Sequence, residues 1–281
     1  MDMAWRETQV ATRHSGLMPL RVYGEGASGP ARGAARPVVL HLHGGAFTGG
    51  SLDTGALIAE MLVAAGAVVV AAAYPCGPDH PFPAPLEAAY DALLWSFAAR
   101  GTLASKTSRI YVAGAEAGGN LAAALAMMAR DQQAPPLAGQ ILISPMLDPC
   151  LATPSLRMAE AGPVGCKWAD GWHAYLGSAD KAGHPYASPA AATRLGQLAP
   201  ALVITSDDDP LRDEALAYAT RLRAAGTAAL THVVPAPTGW PDTMEEDGTC
   251  PCVTALPPVI RAFFSQTRTG PAKRPAPSPT P

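Results

Sequence analysis

Between Tyr111 and Leu121 the chain reads YVAGAEAGGNL, an apolar run that passes through Gly114 and Gly118 into an Ala-rich stretch. A strand that turns sharply into a helix, with a glycine two residues to either side of one central side chain, presents that side chain at the mouth of a site. The central residue is Glu116. A carboxylate in that place can move a proton, attack carbon, or simply accept hydrogen bonds from helix N-terminal amides, which favour an anion. Burying its charge unpaired costs on the order of several kcal/mol. A glutamate at such a turn therefore implies groups that stabilise it or use it.

The elements that must position Glu116 follow from apolar periodicity. Val38–Leu42, Ala67–Ala73, Arg109–Ala113, Gln140–Ser144, Ala201–Thr205 and Ala228–Val234 are short apolar runs of strand length. Helical patterning lies between them, at 53–66 with Gly66 as a stop, 86–100, 118–130, 210–225 and 253–266. Strands alternating with helices predict an α/β fold with a mostly parallel sheet covered on both faces. Two short β-like stretches precede the first apolar strand. Residues 149–187 are irregular and rich in aromatics (Trp168, Trp172, Tyr175), as an inserted cap would be. The expected organisation is one domain over 1–267, with cap elements at about 1–37 and 149–187, and a disordered Pro-rich tail over 268–281.

Four segments occur in order: HGGAF at 43–47, YPCGPDHPFPAPLEAAYDAL at 74–93, GAEAGGNLA at 114–122 and DPLRDEA at 209–215. Together they resemble the hormone-sensitive-lipase-type family of α/β-hydrolases, whose members carry H-G-G-G, Y-R-L-A-P-E-H-P-F-P, G-D-S-A-G-G-N-L and D-P-L-R-D-E at these places. The resemblance spans roughly residues 15–265. It implies an α/β-hydrolase fold with a central sheet of about eight strands, a small cap, and ester hydrolysis by a Ser-His-Asp triad. Carried over by position, Asp209 matches the triad acid, and the amides of Gly44, Gly45 and Ala117 match the oxyanion donors. Glu116 holds the serine position. In LTHVVPAPTGWPDTM the best match for the histidine is Trp240, which is expected to face the active-site cavity. His232 lies upstream, within a strand.

Each of these residues also has a plainer reading. Gly44 and Gly45 suit a tight turn after a strand. Asp209, just before Pro210, suits a helix N-cap. Gly118 and Gly119 suit close helix–sheet packing. His43 and His80 fit hydrogen-bonded loop structure, and His173 or His184 in the cap could reach over the pocket. Glutamate is two carbons longer than serine, so its carboxyl is expected to overshoot the oxyanion donors and project toward the cap.

The functional expectation is an enzyme with a degenerate triad, in which Glu116 serves as general acid/base for an elimination, a cyclisation or an epoxide opening on a small, partly hydrophobic compound, such as a secondary-metabolite intermediate. The alternatives are a catalytically dead pseudo-hydrolase that binds a small hydrophobic ligand, and a hydrolase with a carboxylate nucleophile or a relocated base. No cofactor or metal is expected, since a Rossmann fingerprint and a P-loop are both lacking and Cys250-Pro-Cys252 has no second ligand pair. A net charge of −3 gives no reason to expect nucleic acid or a membrane surface as partner. The odd count of five cysteines reads as free cytosolic thiols, and the location as cytoplasmic. Oligomeric state is left open.

Overall fold

The computed structural model describes residues 4–25, 35–159, 165–244 and 252–268. They form one eight-stranded sheet. In chain order its strands are β1 (Trp5–Thr12), β2 (Gly16–Tyr23), β3 (Val38–Leu42), β4 (Val68–Ala72), β5 (Ile110–Ala115), β6 (Leu137–Ile143), β7 (Ala201–Ser206) and β8 (Ala229–Val234). Across the sheet they run β1-β2-β4-β3-β5-β6-β7-β8. β1 and β2 form an antiparallel hairpin, β2 is antiparallel to β4, and every pair from β4 to β8 is parallel. The eight strands and mostly parallel order match the sequence expectation. Within residues 1–37, expected to supply cap elements, the described Trp5–Thr12 and Gly16–Tyr23 are instead the first two strands of the sheet, and Val10, Met18, Leu20 and Val22 join the core.

The central strands are buried along their whole length, and alternate residues supply two different cores. Leu40, Leu42, Val112, Leu142 and Val203 face one apolar layer with α2 (Ala84–Leu103), α3 (Glu116–Asp131), α6 (Arg212–Ala224) and the cap. Val39, Tyr111, Ile141, Ile143 and Ile204 face the other, with α1 (Ala56–Ala64) and α7 (Cys252–Arg268). The cap is α4 (Pro154–Ala159) and α5 (Gly165–Leu176), which contributes Trp168, Trp172, Tyr175 and Leu176 to the first layer.

α3 is buried over nearly all of its length because its first turn carries no bulk. A Cβ on Gly118 would stand 2.1 Å from the Leu42 carbonyl oxygen, and one on Gly114 would stand 2.1 Å from the Gly118 carbonyl oxygen. These glycines let α3 lie directly on β3 and β5, which fixes where the turn between β5 and α3 points.

Cys76 and Cys150 are free thiols, but Cys252, buried at the start of α7, is disulfide-bonded. That corrects the expectation of free thiols and removes the ground on which a cytosolic location was inferred. No described helix is long and apolar enough to cross a membrane. The Pro-rich tail beyond Arg268 lies outside the described residues.

Gly118→Ala should lower Tm by about 5 °C or more, because the new methyl meets backbone that cannot move aside. Gly183→Ala, where a Cβ meets nothing within 4 Å, should leave Tm unchanged. Paired thermal melts of the two variants check this.

Candidate functional site

The chain leaves β5 in extended geometry at Ala115 (φ −109°, ψ 146°) and turns at Glu116, which holds φ +50°. A non-glycine residue in this left-handed region costs about 1–3 kcal/mol and persists only where its surroundings enforce it. Here they do, since the first turn of α3 is clamped by Gly114, Gly118 and Gly119 against β3 and Pro145. Glu116 is only 1% exposed.

Both oxygens of Glu116 are engaged. Oε2 accepts from the amides of Gly45 (2.7 Å) and Ala46 (2.9 Å). Oε1 accepts from the Trp168 indole Nε1 (2.8 Å) and lies 3.2 Å from the Lys167 ammonium. The carboxyl therefore does not overshoot the loop donors, as the longer side chain was expected to do. Its two extra carbons carry it from the elbow directly onto them. Of the three amides expected from position, Gly45 donates to Glu116; the second loop donor is Ala46 rather than Gly44 or Ala117.

The reason lies in the loop after β3. Gly45, Ala46 and Phe47 all take positive φ (+104°, +48°, +62°), which turns the amides of Gly45 and Ala46 inward. The Gly45 carbonyl is held by the amides of Thr48 (3.0 Å) and Gly49 (3.1 Å). The Gly44 carbonyl instead meets His43 Nδ1 at 2.8 Å. The His43 ring stacks on Tyr74 at 4.3 Å, and Tyr74 donates its hydroxyl to the His43 carbonyl. Burial pushes the His43 pKa down, against the opposing pull of the Gly44 contact. His43 thus builds the loop, in line with its plainer reading.

The cap closes over this loop. A Cβ on Gly171 of α5 would stand 1.9 Å from the Ala46 carbonyl oxygen, so only glycine lets α5 approach so closely. Phe47 stacks on Tyr175 at 3.7 Å with the rings nearly parallel. α5 delivers Trp168, fully buried, and Lys167, whose side chain is 29% exposed and also reaches Asp242 at 3.2 Å. Neither was singled out from sequence as a partner of Glu116. The only hint was the aromatic spacing of 168, 172 and 175, which gives one face of a helix but not its target.

Asp209 is 1% exposed and accepts from Ser144 Oγ (2.8 Å), Thr205 Oγ1 (2.6 Å) and the Leu211 amide (2.9 Å). It is not the N-cap of α6. That residue is Leu211, and Asp209 closes a turn two residues ahead of it. Trp240 lies in the α1/α7 apolar layer with Met244, Leu256 and Ile260, and Glu116 takes its indole partner from Trp168. The loop that carries Trp240 is anchored by Asp208, which accepts from the Thr238 amide and hydroxyl (both 2.6 Å) and the Gly239 amide (3.1 Å). Burial acts to raise Asp208, and these donors outweigh it, holding its pKa well below the usual carboxylate range. His173 and His184 are exposed and serve neither carboxylate.

The buried carboxyls of Glu116, Asp209 and Glu214 influence one another in series. Burial raises the Asp209 pKa, and the charge of Glu116 adds to that against three hydrogen bonds that lower it. Burial pushes Glu214 up to about 8, opposed by the amides of Leu147 and Asp148 and assisted by Asp148 and Asp209. Among the described residues, no group of three or more His, Cys, Asp or Glu side chains could hold a metal.

A family model described as the alpha/beta hydrolase fold matches residues 39–238. Carboxylesterase NlhH of Mycobacterium tuberculosis H37Rv is 37% identical over 198 residues, or 68% of this chain; the matched part spans 62% of that protein's length. Esterase LipW from Mycobacterium marinum superposes with a TM-score of 0.81 at 32% identity, covering 95% of this chain and 82% of that one. The carboxylesterase EstE1, cloned from a metagenomic library, superposes with a TM-score of 0.78 at 30% identity, covering 92% and 89%.

The Glu214 geometry sets a pH dependence. Between about pH 4.5 and 8 the folded chain keeps a proton on Glu214 that the unfolded chain has lost. This contribution to stability is full below pH 4.5 and disappears as pH rises through about 8. Between pH 5 and 8.5, wild type should lose about 5 °C more of Tm than Glu214→Gln does. Equal losses in matched thermal melts would refute the assignment.

Proposed function

We propose, for a chain that belongs to the α/β-hydrolase fold family, that Glu116 and Trp240 stand where the resemblance places the catalytic serine and histidine, and that the protein is a non-hydrolysing member that uses the fold to bind a small molecule. The observation that carries this is the engagement of both Glu116 oxygens by three hydrogen-bond donors and the Lys167 ammonium. Ester cleavage needs oxyanion donors free to meet charge as it develops on the substrate. Here the amides of Gly45 and Ala46 already hold a carboxylate oxygen.

The same geometry argues against the acid–base reading, since a general acid or base must direct an oxygen at the substrate. A carboxylate nucleophile would need an imidazole to activate water for the second step. His173 and His184 are exposed, and His43 is committed to its loop. Binding is favoured by the aromatic underside of the cap. The Trp172 indole nitrogen and the Tyr175 hydroxyl are buried there without a hydrogen-bond partner among the described residues, so a ligand acceptor would satisfy them.

Wild type should hydrolyse short-chain p-nitrophenyl esters no faster than heat-denatured protein. Glu116→Gln should leave that background unchanged, and Glu116→Ser should not raise it, because the base is still absent. Ester turnover by wild type that drops about 100-fold in Glu116→Gln would make Glu116 catalytic and overturn the reading.

A further inference from the structure

We propose that the groups around Glu116 form a carboxylate receptor in their own right, with Glu116 as its built-in occupant, and that the site emptied of Glu116 takes a small monocarboxylate. The proposal rests on the reading of Glu116 above and adds the chemistry the site recognises. None of the donors belongs to α3. Gly45 and Ala46 come from the loop after β3, and Lys167 and Trp168 from α5.

Each donor is positioned without help from Glu116. The Gly45 carbonyl is bonded to the amides of Thr48 and Gly49. Gly171 seats α5 directly on Ala46. Trp168 is fully buried in the first apolar layer, and Lys167 is tied to Asp242. Two donors on each oxygen match the acceptor capacity of a carboxylate, and one of them is a cation. Asp209 opposes any anion here, since its charge and that of Glu116 repel. Three neutral donors and an ammonium, which Asp242 shares, face that unfavourable neighbour. Removing the carboxyl leaves a buried indole and two amides without acceptors, so the emptied site should favour a replacement.

Counting atoms gives the replacement its size. Glu116→Ala removes Cγ and the carboxyl, which together are the heavy atoms of acetate. Glu116→Gly also removes Cβ, and the missing group becomes propionate. Glycine accepts the φ of +50° without strain.

The test is a set of thermal melts of the full chain in sodium acetate, propionate or chloride at equal ionic strength. At 100 mM, acetate should raise the Tm of Glu116→Ala by about 3 °C or more over chloride. Propionate should be the better ligand for Glu116→Gly. Wild type should not respond, because a tethered carboxylate outcompetes a free one at that concentration. Lys167→Met in the Glu116→Ala background should reduce the gain. If Glu116→Ala does not fold, Glu116→Gly carries the comparison. If neither is soluble in chloride, recovery on refolding in carboxylate alone supports the receptor, and failure in both salts overturns it. Equal Tm in carboxylate and chloride for both variants also overturns it. Ester turnover by wild type would sink the non-hydrolysing reading yet leave this titration readable.

Discussion

A carboxylate buried to 1% exposure must find donors or unfold its surroundings, and the active end of this molecule is organised around that requirement. The Glu116 side chain joins three parts of the chain that lie far apart in sequence: the elbow at the start of α3, the left-handed loop after β3, and the cap helix α5. Removing one partner from such a group does not merely subtract a contact. It leaves the others buried without acceptors.

The strain in the region fits this picture. Glu116, Ala46 and Phe47 all hold positive φ without being glycine, a set of unfavourable conformations within one small volume. The glycines supply close approach instead. Gly114 and Gly118 let α3 touch the sheet, and Gly171 lets the cap touch the loop. The charges of Glu116 and Asp209 oppose each other, and Lys167 reaches Glu116.

Much of the frame was legible in the sequence because its causes are local. Continuous runs such as VVLHL and VVVAA can only be strands buried on both faces, and Gly118-Gly119 before an Ala-rich helix signals close packing. The position of Glu116 at a strand-to-helix turn could be read from the spacing of Gly114 and Gly118 alone. Its environment could not. The donors on Glu116 come from 52 and 70 positions away in the chain, as Trp168 and Ala46 illustrate, and no periodicity records such a meeting. That Ala46 joins Gly45 as a donor depends on three consecutive positive φ values that HGGAF does not announce. Matching motifs by position assigns Trp240 to a loop but does not record its packing with Met244, Leu256 and Ile260.

The seating of α5 on the loop has a kinetic consequence. With Gly171 against the Ala46 carbonyl and Phe47 stacked on Tyr175, the loop has no independent way to swing clear. A small loop alone can open within nanoseconds to microseconds, whereas displacing a packed helix belongs to the microsecond-to-millisecond range. Motion of the loop after β3 is therefore tied to the slower motion of α5.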